Sequence, residues 1–521
     1  VVADRGCGGE DAAVNRARGL LVIVVAALVV SVLSPAAEAR ERPAASNAKA
    51  ALSRLHATTG SEPGIFDESG ARVLLSSVNV NGLGEYYQAN PDFATTVPVR
   101  RSDFAEIARR GFNSVRLIVS WSRLEPTRGA YDEAYVARLK RAVRQAASYG
   151  LYVVLDMHQD AWGPAVDTRA GEVCPAGTDP ANGWDGAPAW ATITDGESTC
   201  HGGTRELAPA VRRAWDHFYA DTRGIQTHLV RTWARLAGDF ARNPAVAGFD
   251  LLNEPGLGSQ SGSETKLLGR FYGRAITAIR RAERRQDGFH HIVFFEPGVL
   301  WSALGSSDVP HGFTKDENIV FAPHIYAEGI SPNTIAGGFA SAAAAAERNG
   351  VTVWVGEWGF FSSDPADDAD KLDRYTDALD EYGYGGAWWS WKQACGDPHV
   401  IHHPGSQPDS VSPSLIRYSC PSGQRAAAPA PAYAEALFRP LARAVPGTIK
   451  RQESDGRAGT FDLVGRRDPQ ADRCSLRVFV PKAWTAKKVR VQGIDKLRRQ
   501  HRHGNVILRG CVHDQFRLRV G

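Results

Sequence analysis

The stretch on which the fold turns is Val246-Ala247-Gly248-Phe249-Asp250-Leu251-Leu252-Asn253-Glu254-Pro255. Its apolar texture reads as a strand buried on both faces, as in a parallel sheet. Pro255 ends it by removing a backbone donor. A second stretch is built alike, with Val353-Trp354-Val355 leading into Gly356-Glu357-Trp358-Gly359. Working outward, apolar runs at 73–80, 114–119, 151–157, 246–252, 291–295, 319–325, 351–355 and 386–391 number eight. Helical patterns separate them. One opens at Asp132 and buries Val136, Leu139 and Val143 before Gly150, and another carries Leu229, Trp233, Leu236 and Phe240 before Asn243-Pro244. Eight strands alternating with helices predict a (β/α)8 TIM barrel.

The barrel accounts for residues 70–446, closed by a helix expected over 433–443. Beyond Pro446 the texture changes to short strand patterns with polar turns, which predict a small C-terminal all-β sandwich domain over 447–521. At the other end, Arg16 and Arg18 precede the apolar run Leu20 to Leu33, and Ala37-Glu38-Ala39 follows as a cleavage site. That order predicts a signal peptide over 1–39, with the true start near Val14, and a secreted, extracellular protein; residues 40–69 form a lead-in. Six cysteines follow the cleavage site, an even number that suggests disulfides in an exported chain. Pairing sequence neighbours joins Cys174 with Cys200, Cys395 with Cys420, and Cys474 with Cys511. With no C-x-x-C motif, a zinc or redox site is not expected.

Composition excludes little else. The 521 residues carry a net charge of +4 and 43% hydrophobic residues, ordinary for a folded chain. The densest basic cluster runs from Lys487 to Arg502 and reads first as a solvated sheet face, secondly as a contact for an anionic surface. Nucleic acid is not an expected partner, and a monomer is expected.

The chemistry rests on Glu254 and Glu357. Carboxyls at the ends of two barrel strands can serve as proton donor and nucleophile in a retaining reaction at a glycosidic carbon, which needs them about 5 Å apart. Asn253 can hydrogen-bond a sugar 2-hydroxyl, and Gly356 leaves room for a ligand at the backbone. Trp389 and Trp391 alternate along one strand face, so one of them is expected to stack on a sugar.

Asn253-Glu254-Pro255 followed by Gly356-Glu357-Trp358-Gly359 resembles glycoside hydrolase family 5. Within it, Leu155-Asp156-Met157-His158-Gln159-Asp160 and Gly186-Ala187-Pro188-Ala189-Trp190-Ala191-Thr192 resemble endoglycoceramidases. The resemblance implies Glu254 as acid/base after strand four and Glu357 as nucleophile after strand seven, held by Arg116 and Tyr326. It implies sugar contacts from His158, Asp160, Trp190, His324 and one of Trp389 and Trp391. Endoglycoceramidases of this kind that accept long glycans carry a lysine after strand one. Here Asn79 to Gln88 has none, and Asn81 or Glu85 is expected to take over sugar contacts there.

The expected activity is hydrolysis of the bond between sugar and ceramide in glycosphingolipids, with retention and without a cofactor or metal. The alternative is a family 5 β-glucosidase or glucanase acting on soluble or polymeric β-glycosides. A non-catalytic carbohydrate-binding surface protein is a distant third. A lipid substrate also implies transient contact with a membrane or micelle. Apolar contacts for it are expected from Leu83, Tyr86, Tyr87, Phe93, Leu257, Leu300 and Trp301.

Overall fold

A computed structural model describes residues 52–85, 96–167, 171–181, 183, 185–259, 264–305, 307–362, 364–393, 414–418, 425–427 and 429–521. The expected signal peptide, Tyr86, Tyr87, Phe93 and the Cys395–Cys420 pair lie outside them. Eight parallel strands form the barrel: β1 (Ser76–Val80), β2 (Ser114–Ser120), β3 (Tyr152–His158), β4 (Val246–Asp250), β5 (Ile292–Phe295), β6 (Ile319–Phe321), β7 (Trp354–Trp358) and β8 (Gly385–Trp388). Hydrogen bonding runs in order from β6 back through β1 to β8 and β7. Parallel bridges at Phe321–Val353 and His324–Glu357 close the ring between β6 and β7. The expected (β/α)8 barrel is therefore present.

Local signals set the helices. Asp132 caps Glu133–Ser148 by accepting from the amides of Ala134 and Tyr135 at 2.8 and 3.1 Å. Val136, Leu139 and Val143 form its buried stripe, and Gly150 follows with φ +78°. Ile225–Phe240 buries Leu229, Trp233, Leu236 and Phe240, the face that its spacing predicts. Strand β4 is buried along its whole length, as both-sided packing requires.

The C-terminal region is an antiparallel sheet with its own apolar core, including Leu463, Leu476, Val478, Leu508 and Leu518. The expected sandwich is one hydrogen-bonded nine-stranded sheet. It also reaches outside 447–521. Leu55–Thr58, Gly64–Asp67 and Arg72–Val73, most of them in the segment read as a lead-in, join it through Leu441–Val445. The helix expected over 433–443 is Pro431–Leu437, and the chain then turns into that strand. Helical spacing could not show this, because Val73 and its neighbours, far away in sequence, supply the pairing. The sheet packs on the barrel through a buried ion pair. Arg439 reaches the Asp380 carboxylate on the helix Ala369–Tyr382, and Gln452 donates to the same carboxylate at 2.7 Å.

Cys174–Cys200 and Cys474–Cys511 are disulfide-bonded. No helix among the described residues is long and apolar enough to cross a membrane.

Candidate active site

The site is assembled at the C-terminal ends of the barrel strands, where such barrels carry their chemistry. Arg116, on β2, is fully buried at its centre. Its guanidinium contacts Asp156 at 2.9 Å, Asp250 at 2.9 Å, Glu296 at 2.8 Å and Glu357 at 2.6 Å. It also donates to the side-chain carbonyls of Asn79 at 3.2 Å and Asn253 at 3.0 Å. A planar fork of five donors suits this many acceptors, where an ammonium could not reach them all. Burial opposes the charge, but the four carboxylates outweigh it and hold Arg116 well above the ordinary arginine value.

Glu357 sits inside β7, whose strand runs on to Trp358 rather than stopping at 355. Its Oε2 accepts from the Tyr326 hydroxyl at 2.8 Å. Burial pushes the Glu357 carboxyl above the ordinary glutamate value, against the pull of His324, Arg116 and His158. Tyr326 is also raised, by burial and then by the Glu357 charge, so its hydroxyl stays a donor.

Glu254 follows β4 with φ +36°, a conformation that side chains other than glycine rarely adopt. Its neighbours hold it there. Its amide donates to Glu296 at 2.8 Å, and Gln159 donates to its carbonyl at 2.8 Å and to that of Asn253 at 2.7 Å. Backbone strain of this kind, fixed by surrounding bonds, is characteristic of functional sites. Carboxylate oxygens of Glu254 and Glu357 lie within 4.8 Å of each other, with His324 Nδ1 in the same group.

His324 does not line the cavity as a sugar contact. Its ring is fully buried, with Nδ1 2.7 Å from Glu254 Oε1 and 3.6 Å from Glu357 Oε2. Burial would lower its pKa, but Glu296, Glu357 and Glu254 raise it well above the ordinary histidine value. Gly356 serves this ring rather than a ligand: a Cβ there would stand 3.0 Å from two of its atoms. Among the described residues two groups of side chains could hold a metal by spacing, Glu254–His324–Glu357 and Asp156–Asp250–Glu296. The protein's own cations, His324 and Arg116, already reach into both.

Between Glu254 and Glu357 opens a cavity of about 280 Å³, also lined by His158, Asp160, Asn253, Tyr326 and Trp389. His158 is held between Asp156 at 2.7 Å and Asp160 at 3.3 Å and stacks on Trp389, ring centres 5.7 Å apart. Burial pulls its pKa down, but Asp156 and Asp160 prevail and raise it well above the ordinary value. The lining also includes His201 and Gly203 to Glu206, from the insertion that Cys174–Cys200 ties down. Apolar surface comes from Val299, Ala303, Ile330 and Phe361. Ile330 is 56% exposed, and Leu304, beside Ala303, is 55% exposed.

Several expected contacts lie elsewhere. Trp391 is buried in the core, its amide on the Asn79 carbonyl, because the strand stops at Trp388 and the alternation stops with it. Trp190 packs edge-on against Trp121 and His228, and its indole donates to the Glu125 carbonyl at 2.9 Å. Asn81 and Glu85 do not line the cavity; Glu85 accepts from Ser122 at 2.5 Å. Trp301 is buried against Phe321, and Leu83 packs on the core, so neither offers the expected lipid contact. Sequence reasoning missed Glu296, Asp156, Asp250 and Gln159. Glu296 had a signal: Phe294-Phe295-Glu296-Pro297 repeats at β5 the Glu-Pro ending of β4.

Known proteins agree with this geometry. The model described as cellulase, glycosyl hydrolase family 5, matches residues 67–395. Endoglycoceramidase I of Rhodococcus hoagii (strain 103S) is 32% identical over 276 residues, 50% of this chain and 51% of that protein. The matched stretches span about half the length of such curated relatives. The crystal structure of an endogalactoceramidase is 41% identical with a TM-score of 0.81, covering 90% of this chain and all of that one. Endo-glycoceramidase II from Rhodococcus sp., in its ganglioside GM3 complex, is 26% identical with a TM-score of 0.67, covering 88% of this chain and 99% of that one. With its barrel, its paired glutamates at β4 and β7 and this match over most of the chain, the protein belongs to glycosyl hydrolase family 5.

Proposed function

We propose that the protein is an exported endoglycoceramidase-type enzyme that hydrolyses the bond between sugar and ceramide with retention of configuration. The observation that carries this reading is the approach of the Glu254 and Glu357 carboxylates to within 4.8 Å, in a cavity lined by both polar and apolar side chains. That close approach suits direct attack by one carboxylate rather than attack through a water held at a distant one, the feature that separates retention from inversion.

In this reading Glu357 attacks the anomeric carbon, positioned by Arg116 and Tyr326. Glu254 passes a proton to the leaving ceramide oxygen, with His324 on its Oε1. A covalent glycosyl-enzyme forms on Glu357, and Glu254 then takes a proton from the water that releases the sugar. His158, Asp160 and Asn253 bind hydroxyls, and Trp389 stacks on the ring. Val299, Ala303, Ile330 and Phe361, the apolar part of the cavity lining, receive the start of the lipid. Export through a signal peptide is consistent with the two disulfides.

Purified protein is incubated with galactosyl-, glucosyl- and lactosylceramide in mild detergent, and released ceramide and intact sugar are measured. Galactosylceramide ranks first, on the 41% identity to the endogalactoceramidase. Ceramide release that is lost in Glu357→Ala is the expected result. No release from any of the three, with turnover of an aryl β-glucoside or β-glucan, moves the substrate to soluble β-glycosides.

A further inference from the structure

The C-terminal sheet sets arginines directly opposite one another. Arg477, in Leu476–Val480, is the cross-strand partner of Arg509, in Asn505–Val520. Arg509 is in turn the partner of Arg498, in Val489–Arg502. Directly opposed residues of antiparallel strands share a face with their Cβ atoms about 5 Å apart, and like charges so placed are destabilising. The result is a row of three guanidinium groups across three adjacent strands, with Arg498 and Arg509 exposed.

A further cation adjoins it. Arg443 stacks over Phe479, two residues along from Arg477, at 4.6 Å. Burial, with Arg502 and Arg477 alongside, pulls the Arg443 guanidinium down to about 9. Burial and the same two neighbours, Arg477 and Arg502, also lower Arg509. Compensation is sparse. Arg477 pairs with Asp67, and among the described residues Arg509 donates only to the neutral Gln500, at 3.1 Å. Asp495, nearby on the same strand as Arg498, is engaged by Arg473 and His513.

Edge protection accounts for part of this. Val489–Arg502 pairs only with Asn505–Val520 and is a sheet edge, where basic residues discourage pairing with other chains. That explains Arg498. It does not explain Arg509 or Arg477, on strands paired on both sides. A like-charge row through the interior of a sheet costs stability unless an anion neutralises it.

We propose that the Arg477–Arg509–Arg498 row is a binding site for phosphate-type oxyanions, at the end of the barrel opposite the cavity of Glu254 and Glu357. Planar guanidinium groups match phosphate oxygens in pairs. The location follows from Arg443, which donates to the carbonyl of Gly111, just before β2, while the reactive glutamates lie beyond the other strand ends. The anion can come from a lipid headgroup or from free phosphate.

The test uses the full protein and the variant Arg498→Gln/Arg509→Gln. Binding to phosphatidylcholine vesicles with and without phosphatidylglycerol is measured by sedimentation. Thermal unfolding is followed in phosphate and in chloride at matched ionic strength. Binding to the anionic vesicles, weaker by at least about tenfold in the variant, assigns the site to a lipid headgroup. Stabilisation by phosphate of the wild type alone, without vesicle binding, assigns it to free phosphate. In chloride the variant is expected to unfold at the same temperature as the wild type or higher, since repulsion is relieved. A variant that matches the wild type with both vesicles and phosphate, or that unfolds earlier in chloride, overturns the proposal.

Discussion

His324 Nδ1 and Glu254 Oε1 are 2.7 Å apart, although the two residues follow different strands, β6 and β4, and are separated by 70 positions. The imidazole touches the proposed proton donor without lining the cavity, so its effect passes through Glu254. His324→Asn should lower kcat by about 10²-fold, at the low end for a proton-transfer partner, with KM within a factor of about three. The alkaline limb of the pH–kcat profile should move as well. A KM change alone would instead make His324 a binding residue. Gly356→Ala presses a methyl on the same ring and should reproduce the kcat loss in part.

Glu357 is buried, and burial raises its pKa despite the cations around it. Since it must be ionised to attack, the acidic limb of kcat/KM should fall above the ordinary glutamate value of about 4.3. Glu357→Ala should abolish turnover. Glu254→Ala should cut it by about 10²- to 10⁴-fold, and azide should restore turnover of an aryl β-glycoside there with a β-glycosyl azide as product, since the covalent step on Glu357 survives, whereas azide acting in Glu357→Ala should give the α-azide by a single displacement. An α-azide from Glu254→Ala, or a β-azide from Glu357→Ala, would remove the assignment of roles.

Arg116 joins four carboxylates with no exposure to solvent. Arg116→Lys keeps the charge but not the fork. It should cost about 3–5 kcal/mol in urea unfolding, the range for breaking a buried ion pair, besides its effect on activity. A variant as stable as the wild type would show that the network relaxes around a point charge.

Asp185 is buried, and burial pushes its carboxyl up to about 8. It therefore stays protonated in the folded protein while its unfolded counterpart ionises near pH 3.8. With more protons bound in the folded state, stability falls as pH rises from about 4 to 8. Asp185→Asn removes that dependence, so its Tm relative to the wild type should climb between pH 4 and 8. A constant difference across this range would contradict the assignment.

The Cys174–Cys200 disulfide closes the insertion just before His201, which lines the cavity. Cys174→Ser/Cys200→Ser should lower stability by about 3 kcal/mol or less and raise KM for the glycolipid more than it lowers kcat. The reverse pattern would place that wall in the chemistry rather than in binding.

The eight strands were legible in the sequence, and so were Glu254 and Glu357. Their signals are local: apolar runs broken by Pro255, Gly356 and the helix caps. Tyr326 and Arg116 were legible through the motifs around them. Trp190 was misplaced, and the choice between Trp389 and Trp391 stayed open, because an aromatic near a strand end or on a loop has the same sequence signature whether it faces a ligand or the core. Glu296 was missed because its role lies in bonds to Arg116, Glu254 and His324 that come from three other elements.

The sequence by itself determined the barrel, the two glutamates paired at its strand ends and two of its disulfides, since periodicity, punctuation and cysteine order are written along the chain. Only the tertiary structure decided which carboxylates share Arg116, that His324 serves Glu254, and that Leu55–Val73 joins the C-terminal sheet. It also aligned three arginines across that sheet. Each of these depends on register between segments tens to hundreds of residues apart, and register is set by the packing of the whole fold.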